Sequence, residues 1–576
     1  MADLSLCMIV KDEARCLARC LQSVAHLVDE IIVVDTGSID ESVNIAQSFG
    51  ARVEYFKWCS DFSQARNYAL SFATKSWILV LDADEYLLAE DDEKLCQVIQ
   101  HPTAKSYYLQ IENQVLETAM TQLVSSLVCR LFKNIPGIRY EGAIHEQLVM
   151  PQIKSDLKEV EILDVRLLHD GYIESVKKEK NKGKRNRQII ESILDETPHK
   201  AFHLFNLGTE YMVEKEFEEA LACYDQSYEL LNTKDGYVSK LVLYRIICLV
   251  SLTQYKRALK AIDEGLSWYP QYTDLMYQKG EVERLMHQPI KAIKSYEQCL
   301  VLGEPPIFLK CTNTVYSSFP LLRLISLYES LNDDEMALSY YKRYFQLDDA
   351  NPSFLNDFIR CLKRLGYGET IICQTLMVYL NVQDYHSSLL YLRLLFQNHY
   401  IETFRESLSL LSPTSETFYF FSGILALYEL RYDEATHRFE QIQVQNMPMN
   451  ITSYRFVLSL LTNKRLETTS RLYELIWCLS HEQECDIMLT AKEEATLFEL
   501  LEICIQLNNF QLFETLLEAL NYVESEDVLL KLAQLYDTYG FYTLAIQEIK
   551  RSVVYFNKLN EESAKILYKS CPLLVS

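Results

Sequence analysis

The chain has 576 residues, and 56 basic against 80 acidic side chains give it a formal net charge of −24. This balance disfavours nucleic acid and anionic membranes as partners, because both require a basic footprint on the protein. With 49% hydrophobic and 24% charged residues, the composition is that of a folded protein and excludes disorder on a large scale. At this length we expect several domains.

Helix-breaking residues are scarce, with only 15 glycines and 13 prolines, which predicts a mostly helical chain. No stretch approaches the roughly 18 apolar residues of a membrane span, and the first ten residues lack a basic region ahead of an apolar core. We therefore expect no stable membrane insertion and a cytoplasmic location. The 16 cysteines form no CxxC pair, so we interpret most of them as buried thiols in a reducing compartment.

The first 170 or so residues alternate between short apolar runs and helical patterns. We predict strands over residues 4–10, 30–35, 53–55 and 77–81, and helices starting at Glu13 and spanning 41–49 and 62–72. Strands that alternate with helices of this length indicate right-handed βαβ units and a mostly parallel sheet. The predicted fold class of this region is therefore α/β.

Polar and acidic residues follow three of the predicted strands, at 11–13, 35–38 and 82–84. Ligands of such sheets bind beyond the carboxyl ends of the strands. Any one of these acidic residues could instead cap a helix or form a turn, but three in succession favour a site. Asp82 and Asp84 directly follow a strand, and two carboxylates at this spacing can hold one divalent cation, Mg²⁺ or Mn²⁺.

After about residue 200 the sequence becomes repetitive, with small and aromatic residues at the spacing of a tetratricopeptide repeat of about 34 residues. The anchors of the first units are Gly208 and Ala220 with Tyr224, Ala258 with Ile262, Gly280 and Ala292 with Tyr296, and Ala337 with Tyr341. The signature returns at Gly423, Ala426, Ala435 and Phe439, and at Ala533, Tyr536, Ala545 and Ile549. This pattern predicts an all-α solenoid whose anchors form the stacked core, with degenerate units at 353–411 and 450–523.

Several motifs of the first 190 residues resemble those of glycosyltransferase family 2, the inverting nucleotide-sugar enzymes of GT-A fold. They stand in the family's order at 8–13, 34–40, 61–67, 81–85, 130–132, 140–146 and 169–172. The chain is most similar to the bacterial β-1,4-glucosyltransferase group and to repeat-bearing transferases that glycosylate peptides, such as the bacteriocin S-glycosyltransferases. Asp12 stands where the family more usually has asparagine.

The resemblance and the repeat pattern together predict a GT-A transferase domain over 1–175, a basic linker helix over 176–200, tetratricopeptide repeats over 201–350 and degenerate helical repeats over 351–576. The resemblance also implies a UDP-sugar donor. Val10 and Glu13 would border the uridine, Asp35 would bind the uracil ring, and Arg66 and Asn67 would hold the base or the diphosphate.

By the same resemblance, Asp82 would face the ribose and the metal ion, and Asp84 would be its direct ligand. His169 would complete the coordination of the metal or the diphosphate, unless it is a structural histidine. A UDP leaving group gathers negative charge as the glycosidic bond breaks, and the cation and Arg66 would neutralise that charge.

His145 and Glu146 lie where the family places its acceptor-side residues, and Glu146 could take the proton of the acceptor during a single inverting displacement. The alternatives are Glu85 or Asp170 as the base, or Glu146 as a binder of an acceptor hydroxyl. The basic run at 176–187 is either a solvated helix face or a border of the diphosphate or of an acidic acceptor.

The leading interpretation is a metal-dependent, inverting hexosyltransferase that acts on a peptide or protein acceptor presented by the helical repeats. One alternative is a transferase for cell-envelope saccharides, which predicts a membrane-facing stretch that only 176–187 could supply. Another is a repeat-protein scaffold with an inactive transferase domain. Helical repeats often self-associate, so a homodimer is compatible with the sequence.

Overall fold

The computed structural model describes residues 3–117, 120–151, 157–169, 176–194, 199–233, 235–309, 312, 314–347, 350–382, 384–443, 450–466, 470–481, 483 and 487–569. The chain forms two compact units, one of Met1–Leu327 with Tyr340–Asn351 and one of Tyr328–Ser339 with Pro352–Ser576. Among the helices of these residues, none has both the length and the apolar character needed to cross a membrane.

The first unit begins with the predicted alternation of strands and helices. Its elements are β1 (Leu4–Val10), α1 (Leu17–Val24), β2 (Glu30–Asp35), α2 (Ser42–Ser48), β3 (Arg52–Tyr55), α3 (Phe62–Leu70), β4 (Trp77–Val80), β5 (Glu85–Leu87), α4 (Asp92–Gln100), β6 (Ala104–Glu117), β7 (Met120–Lys133), β8 (Arg139–Glu141), β9 (Gln147–Val149) and β10 (Lys158–His169). The helix predicted from Glu13 begins at Leu17, after a turn that carries candidate site residues.

Eight of these strands form one sheet in the order β3-β2-β1-β4-β7-β6-β10-β5. The first four are parallel, as the sequence predicted, with Val10 beside Asp35 in the register of β1 and β2. The other half is mixed, because β7 is antiparallel to both β4 and β6, while β10 is parallel to β6 and antiparallel to β5. The architecture is an α/β domain of GT-A type.

Both faces of β1 are covered, which explains its unbroken apolar run. Leu6 and Met8 belong to a core on the face that α1 and α4 cover, and Cys7 belongs to a second core on the face that α3 covers. All three side chains are at most 2% exposed. The central strands are thus fixed on both sides, and their carboxyl ends form a rigid edge.

Helices make up the remainder of the described chain. They are α5 (Val176–Ile193), α6 (Lys200–Val213), α7 (Phe217–Leu230), α8 (Val238–Ser251), α9 (Tyr255–Trp268), α10 (Thr273–Leu285), α11 (Pro289–Leu302), α12 (Ser318–Ser330), α13 (Asp334–Tyr344), α14 (Leu355–Arg364), α15 (Glu369–Leu380), α16 (Tyr385–Gln397), α17 (Ile401–Ser407), α18 (Glu416–Tyr428), α19 (Tyr432–Glu440), α20 (Ile451–Leu461), α21 (Arg471–Ser480), α22 (Ala491–Gln506), α23 (Phe510–Glu518), α24 (Val528–Thr538), α25 (Tyr542–Phe556) and α26 (Glu561–Lys569).

The repeat anchors lie in the helical core, as the sequence predicted. A Cβ placed on Gly208 would come within 2.6 Å of the Tyr224 ring, and one on Gly280 within 2.6 Å of the Tyr296 ring. Glycine therefore lets the aromatic ring of the second helix in a pair rest on the backbone of the first. The other anchors are also buried, namely Ala220, Ala258, Ile262, Ala292, Ala337, Tyr341, Ala426, Ala435, Phe439, Ala533, Tyr536, Ala545 and Ile549.

Candidate active site

The carboxyl ends of β1, β2 and β4 meet at one edge of the sheet because these strands are parallel. Hydrogen bonds connect the segment that follows β1 to the segment that follows β2. The Asp12 N–H donates to Ser38 Oγ at 2.9 Å, and the Glu13 N–H donates to Ser42 Oγ at 2.8 Å. Asp12 adopts a φ of 56°, in the left-handed region. The turn after β1 is thereby fixed against the start of α2.

Asp35 closes β2 as a turn former. Its side chain is buried, Oδ2 accepts the Gly37 N–H at 3.1 Å, and Oδ1 accepts the Ser38 N–H at 3.1 Å. Beside it, the Val10 carbonyl accepts both the N–H and the hydroxyl of Thr36, at 3.0 and 3.1 Å. This is the turn-forming alternative that the sequence left open for an acidic residue after a strand. Uracil binding by Asp35 stays a prediction.

Five charged side chains form a chain of alternating sign at the same edge. Arg66 of α3 donates through Nη2 to Asp82 Oδ1 at 2.8 Å and through Nε to Glu146. Arg130 of β7 donates through Nη2 to Asp82 Oδ2 at 2.6 Å and also to Glu85. The order is Glu146, Arg66, Asp82, Arg130, Glu85. The fold therefore brings together three predicted site residues, Arg66, Asp82 and Glu146.

In this row of charged side chains, the pKa of each group depends on its burial and on its charged neighbours. Burial would raise the pKa of the Asp82 carboxyl, but Arg130 and Arg66 outweigh it and hold that pKa well below its ordinary value. Burial raises the pKa of Glu85, with Asp82 acting in the same direction and Arg130 against it. The pKa of Arg66 would fall on burial, but Asp82 and Glu146 raise it above the ordinary value, so Arg66 keeps its charge.

Buried hydrogen-bond donors lie within and beside this row of charged side chains. Within the part of the molecule that the structure describes, Arg66 Nη1, Arg130 Nε and the Tyr140 hydroxyl are buried and have no hydrogen-bond partner. A buried donor without an acceptor costs about 1–3 kcal/mol, so native structures seldom keep several together without a reason. Two of the three belong to guanidinium groups, which suits them to the oxygens of an anionic ligand.

Asp84 and His169 form a separate pair at this edge. Asp84 Oδ2 lies 3.1 Å from His169 Nε2, and both side chains are 25% exposed. Burial would lower the pKa of His169, but the hydrogen bond and charge of Asp84, together with Glu85 and Asp82, raise it above the ordinary value. His169 stands at the end of β10 opposite Glu85 of β5, and that register fixes its position.

The three predicted metal ligands do not converge on one point. Both oxygens of Asp82 accept hydrogen bonds from arginines, whereas Asp84 and His169 face each other. Among the residues that the structure describes, no group of three or more histidine, cysteine, aspartate or glutamate side chains is arranged to hold a metal ion. Two protein ligands still fit Mg²⁺ or Mn²⁺, which is commonly held by one or two carboxylates and substrate phosphates.

Asn67, predicted to contact the base or the diphosphate, is engaged elsewhere. Its Nδ2 donates to the Tyr140 carbonyl at 2.8 Å, and its Oδ1 accepts the Tyr140 N–H at 2.7 Å. The Arg66 guanidinium carbon lies 5.6 Å from the centre of the Tyr140 ring. In this structure Asn67 therefore locks β8 against α3 and helps to place Arg66.

A fixed turn presents Glu146 to Arg66. The Phe62 N–H donates to the Ala143 carbonyl at 2.8 Å, and the buried Ile144 packs in a small cluster with α5 and α6. His145 then adopts a φ of 52°, which turns the chain sharply. The position of Glu146 thus depends on both the α/β domain and the first helices after it.

Arg130 is the site residue to which the sequence assigned no role. It stands within the apolar stretch at 128–132, and its side chain is only 7% exposed. A single charge inside an apolar strand was the available signal, because such a charge must find a buried partner. The identity of that partner, Asp82, depends on the placement of β7 beside β4.

In the described part of the predicted basic run, Arg185 and Arg187 contact α3 and the segment that follows α6. The Arg185 guanidinium lies 5.4 Å from the centre of the Phe62 ring. Arg187 donates to Glu214 at 2.5 Å and to Glu216 at 2.9 Å. The side chains of 176–182 lie outside the described residues.

Comparison with known proteins relates the N-terminal domain to a family and the chain to several relatives. The family model described as glycosyl transferase family 2 matches residues 5–139. A TPR repeat-containing protein of Synechococcus elongatus is 33% identical over 294 residues, which are 50% of this chain and 71% of that protein. The SPbeta prophage-derived glycosyltransferase SunS of Bacillus subtilis is 29% identical over 285 residues, which are 48% of this chain and 65% of that protein.

Among solved structures, the glucosyl-3-phosphoglycerate synthase from Mycobacterium tuberculosis matches with a TM-score of 0.17 and 19% identity, over 19% of this chain and 43% of that one. A likeness this weak carries no argument. The sheet, its charged edge and the helices that follow define a GT-A transferase domain with a helical-repeat extension. The chain therefore carries a glycosyltransferase family 2 domain in its N-terminal part and is related over half of its length to a TPR repeat-containing protein.

Proposed function

We propose that this protein transfers a hexose from a UDP-sugar to a peptide or protein acceptor, with inversion at the anomeric carbon. The observation that carries the proposal is the set of unpartnered guanidinium donors on Arg66 and Arg130, at the carboxyl edge of the sheet and within reach of no acceptor among the described side chains. These donors are suited to a diphosphate, and the site belongs to a family 2 transferase domain.

Arg66 and Arg130 would hold the diphosphate of the donor and balance the charge that it gathers as it leaves. Both guanidinium groups are anchored by Asp82, so they need no rearrangement when the glycosidic bond breaks. Preorganised donors of this kind stabilise developing charge more effectively than water does. Val10, Glu13 and the turn at Asp35 would border the nucleoside.

Asp84 and His169 would hold Mn²⁺ or Mg²⁺, with phosphate oxygens of the donor completing the ligand set. When bound, the cation would supply further positive charge against the leaving UDP. Because its oxygens bind the arginines, we assign Asp82 to the positioning of Arg66 and Arg130 and to the ribose.

Glu146 is our candidate for the base that takes the proton of the acceptor. One of its oxygens accepts from Arg66, which fixes the carboxylate without occupying Oε2. Glu85 is less suited to this role, because it is only 2% exposed and binds both Arg130 and the Asp82 N–H. Asp170, the other alternative, lies outside the described residues. A single displacement with one base predicts an inverted product.

The repeats supply the reason to propose a peptide or protein acceptor. Solenoids of this type bind extended chains along one surface. The competing functions are transfer to a cell-envelope saccharide and a scaffold role with an inactive transferase domain. The experiment below distinguishes a scaffold from an enzyme. The arrangement of Arg66, Asp82, Arg130 and Glu146 argues against an inactive domain, since a decayed site would have no reason to keep open buried donors.

The decisive measurement is release of nucleoside diphosphate from a panel of UDP- and GDP-sugars, with Mn²⁺ and without an acceptor. We expect slow hydrolysis of one UDP-hexose, and a loss of about 100-fold or more in Asp84→Asn. Asp92→Asn is a matched control, because Asp92 pairs with His26 at 2.7 Å on the surface, away from the charged chain. The control should hydrolyse the donor at the unaltered rate.

Each other outcome identifies which part of the proposal is wrong. Full activity in Asp84→Asn would remove Asp84 from the metal site. Release from GDP-sugars alone would exclude uridine. If no sugar nucleotide of the panel is hydrolysed, and UDP does not raise the thermal stability in the presence of the metal, the scaffold function would be favoured.

A further inference from the structure

Helix α6 carries a stripe of polar side chains, of which His203 and Glu210 lie near His145 of the transferase domain. His203, Asn206 and Glu210 recur at intervals of three and four residues, so they lie on one face of the helix. His203 and Asn206 are each only 5% exposed. His145, the neighbour of Glu146, approaches this stripe, with Nε2 lying 3.9 Å from Glu210 Oε1.

Three atoms of this group are buried and unpartnered as far as the described residues extend, namely His203 Nδ1, Asn206 Nδ2 and His145 Nε2. The separation of His145 from Glu210 is too long for a hydrogen bond. Glu210 instead accepts from Asn186 Nδ2 of α5 at 2.9 Å. The contact between α6 and the transferase domain thus keeps several polar atoms out of water without pairing them, which is unfavourable unless a ligand completes them.

The group is built for a ligand without charge. Burial lowers the pKa of both His145 and His203, which favours their neutral forms. Burial also raises the pKa of Glu210. The open atoms are therefore an amide donor and imidazole nitrogens that can donate or accept. A peptide bond offers one acceptor and one donor, which matches such a set.

We propose that His203 and Asn206 of α6, with His145, bind the backbone amides of the acceptor peptide beside Glu146. This assignment rests on the proposed function and names the place where the repeats take part in it. From His203 to Glu210 the helix rises about 10 Å, the length of about three extended residues. The stripe therefore suits a short extended segment on either side of the modified residue.

The test uses the full-length protein, the UDP-hexose found by hydrolysis, and a library of capped random octapeptides. Peptides that gain the hexose mass are resynthesised, and their half-saturating concentration is measured. We expect Asn206→Leu to raise that concentration about tenfold, the cost of one lost hydrogen bond to a buried donor. Donor hydrolysis in water should be unchanged, because Asn206 does not touch the charged chain.

Thermal stability separates this role from a structural one. Asn206→Leu replaces an unpaired buried amide by an apolar group of similar size, so the thermal midpoint should stay the same or rise. Ser318→Ala is the matched control, because Ser318 is fully buried in a repeat helix and its Oγ also lacks a partner among the described residues. It should leave the half-saturating peptide concentration unaltered.

Several results would overturn the inference. They are an unchanged half-saturation in Asn206→Leu, an equal loss of peptide transfer and donor hydrolysis, and the absence of any modified peptide while donor hydrolysis persists. Transfer to an oligosaccharide such as cellotriose, but to no peptide, would reassign the stripe to a saccharide. Absence of donor hydrolysis in the unaltered protein would instead contradict the proposed function, and this inference with it.

Discussion

The carboxyl edge of the sheet and the core of the repeats differ in how fully their buried charged groups are hydrogen-bonded. At the edge, Arg66 and Arg130 share Asp82 but keep buried donors that no described group accepts. In the repeats, the carboxylate of Glu281 accepts hydrogen bonds from three groups: Tyr296 at 2.6 Å, Arg323 at 2.7 Å and Arg284 at 2.9 Å. Among the described residues, the Glu281 cluster leaves one guanidinium donor open, Nε of Arg284, whereas the sheet edge leaves one open on each of two arginines, which suits the edge to an anionic ligand.

The two regions also differ in what their close contacts do. In the repeats, glycine and aromatic residues meet so tightly that a single methyl group cannot be added. At the sheet edge, hydrogen-bonded turns and ion pairs hold the functional groups in place. We therefore expect substitutions at the edge to impair turnover and substitutions in the repeats to impair stability, and the following predictions test that division.

The largest effect is expected for Arg66→Met. This substitution is the exception to that division, because it should impair both turnover and stability. Asp82 and Glu146 would lose the guanidinium that they share, and removal of one member of a buried ion pair costs about 3–5 kcal/mol. Donor hydrolysis should fall at least 100-fold. Thermal unfolding and UDP release measure the two effects.

Arg139→Met is the control for that substitution, because Arg139 pairs with Glu141 on the surface, with both side chains about half exposed. Such pairs contribute about 1 kcal/mol or less. If Arg66→Met hydrolysed the donor at the unaltered rate, the charged chain could not be the donor site.

A smaller effect, confined to stability, is expected for Gly280→Ala. The added Cβ would lie 2.6 Å from the Tyr296 ring, and overpacking of this kind costs about 1–3 kcal/mol. Hydrogen exchange of the α10 and α11 amides should report the loss, while UDP release below the unfolding temperature stays the same. Gly236→Ala, which meets no atom within 4 Å, should change neither quantity. Lost hydrolysis in folded Gly280→Ala would show that the regions are coupled.

The smallest effect is expected for Tyr296→Phe, and it should depend on pH. Burial would raise the pKa of Glu281, but Arg323, Arg284 and Tyr296 lower it below the ordinary 4.5. A depressed carboxyl pKa contributes stability above pH 4.5 that is lost as the pH falls. Removal of the hydroxyl should cost about 1.5 kcal/mol at pH 7.

The difference between Tyr296→Phe and the unaltered chain should shrink between pH 7 and a pH below the depressed pKa of Glu281, at which the carboxylate takes up its proton. Hydrogen exchange of α10 at both pH values provides the measurement. A difference of the same size at both values would mean that the ring hydroxyl acts through packing and not through the carboxylate.

Local periodicity was sufficient to predict the first four strands, their parallel orientation and the buried anchors of the repeats. A buried parallel strand requires an unbroken apolar run, as in β1, and a stacked helix requires small residues such as Ala258 at the crossing. The strands in the second half of the sheet were not predicted. Whether β6 and β7 form strands depends on the strands with which they pair. Their 14-residue strands carry no local signal that determines which edge they join.

The sequence by itself determined the family, the α/β domain, the repeats and the identity of Arg66, Asp82, Asp84, Glu146 and His169 as candidates, because motif spacing and apolar period are local properties. Only the tertiary structure decided their partners. It assigned Asp82 to two arginines, Asn67 to the Tyr140 backbone and the stripe of α6 to His145. The physical reason is that the role of a buried charge or amide depends on the group with which it pairs, and that group comes from a distant part of the chain.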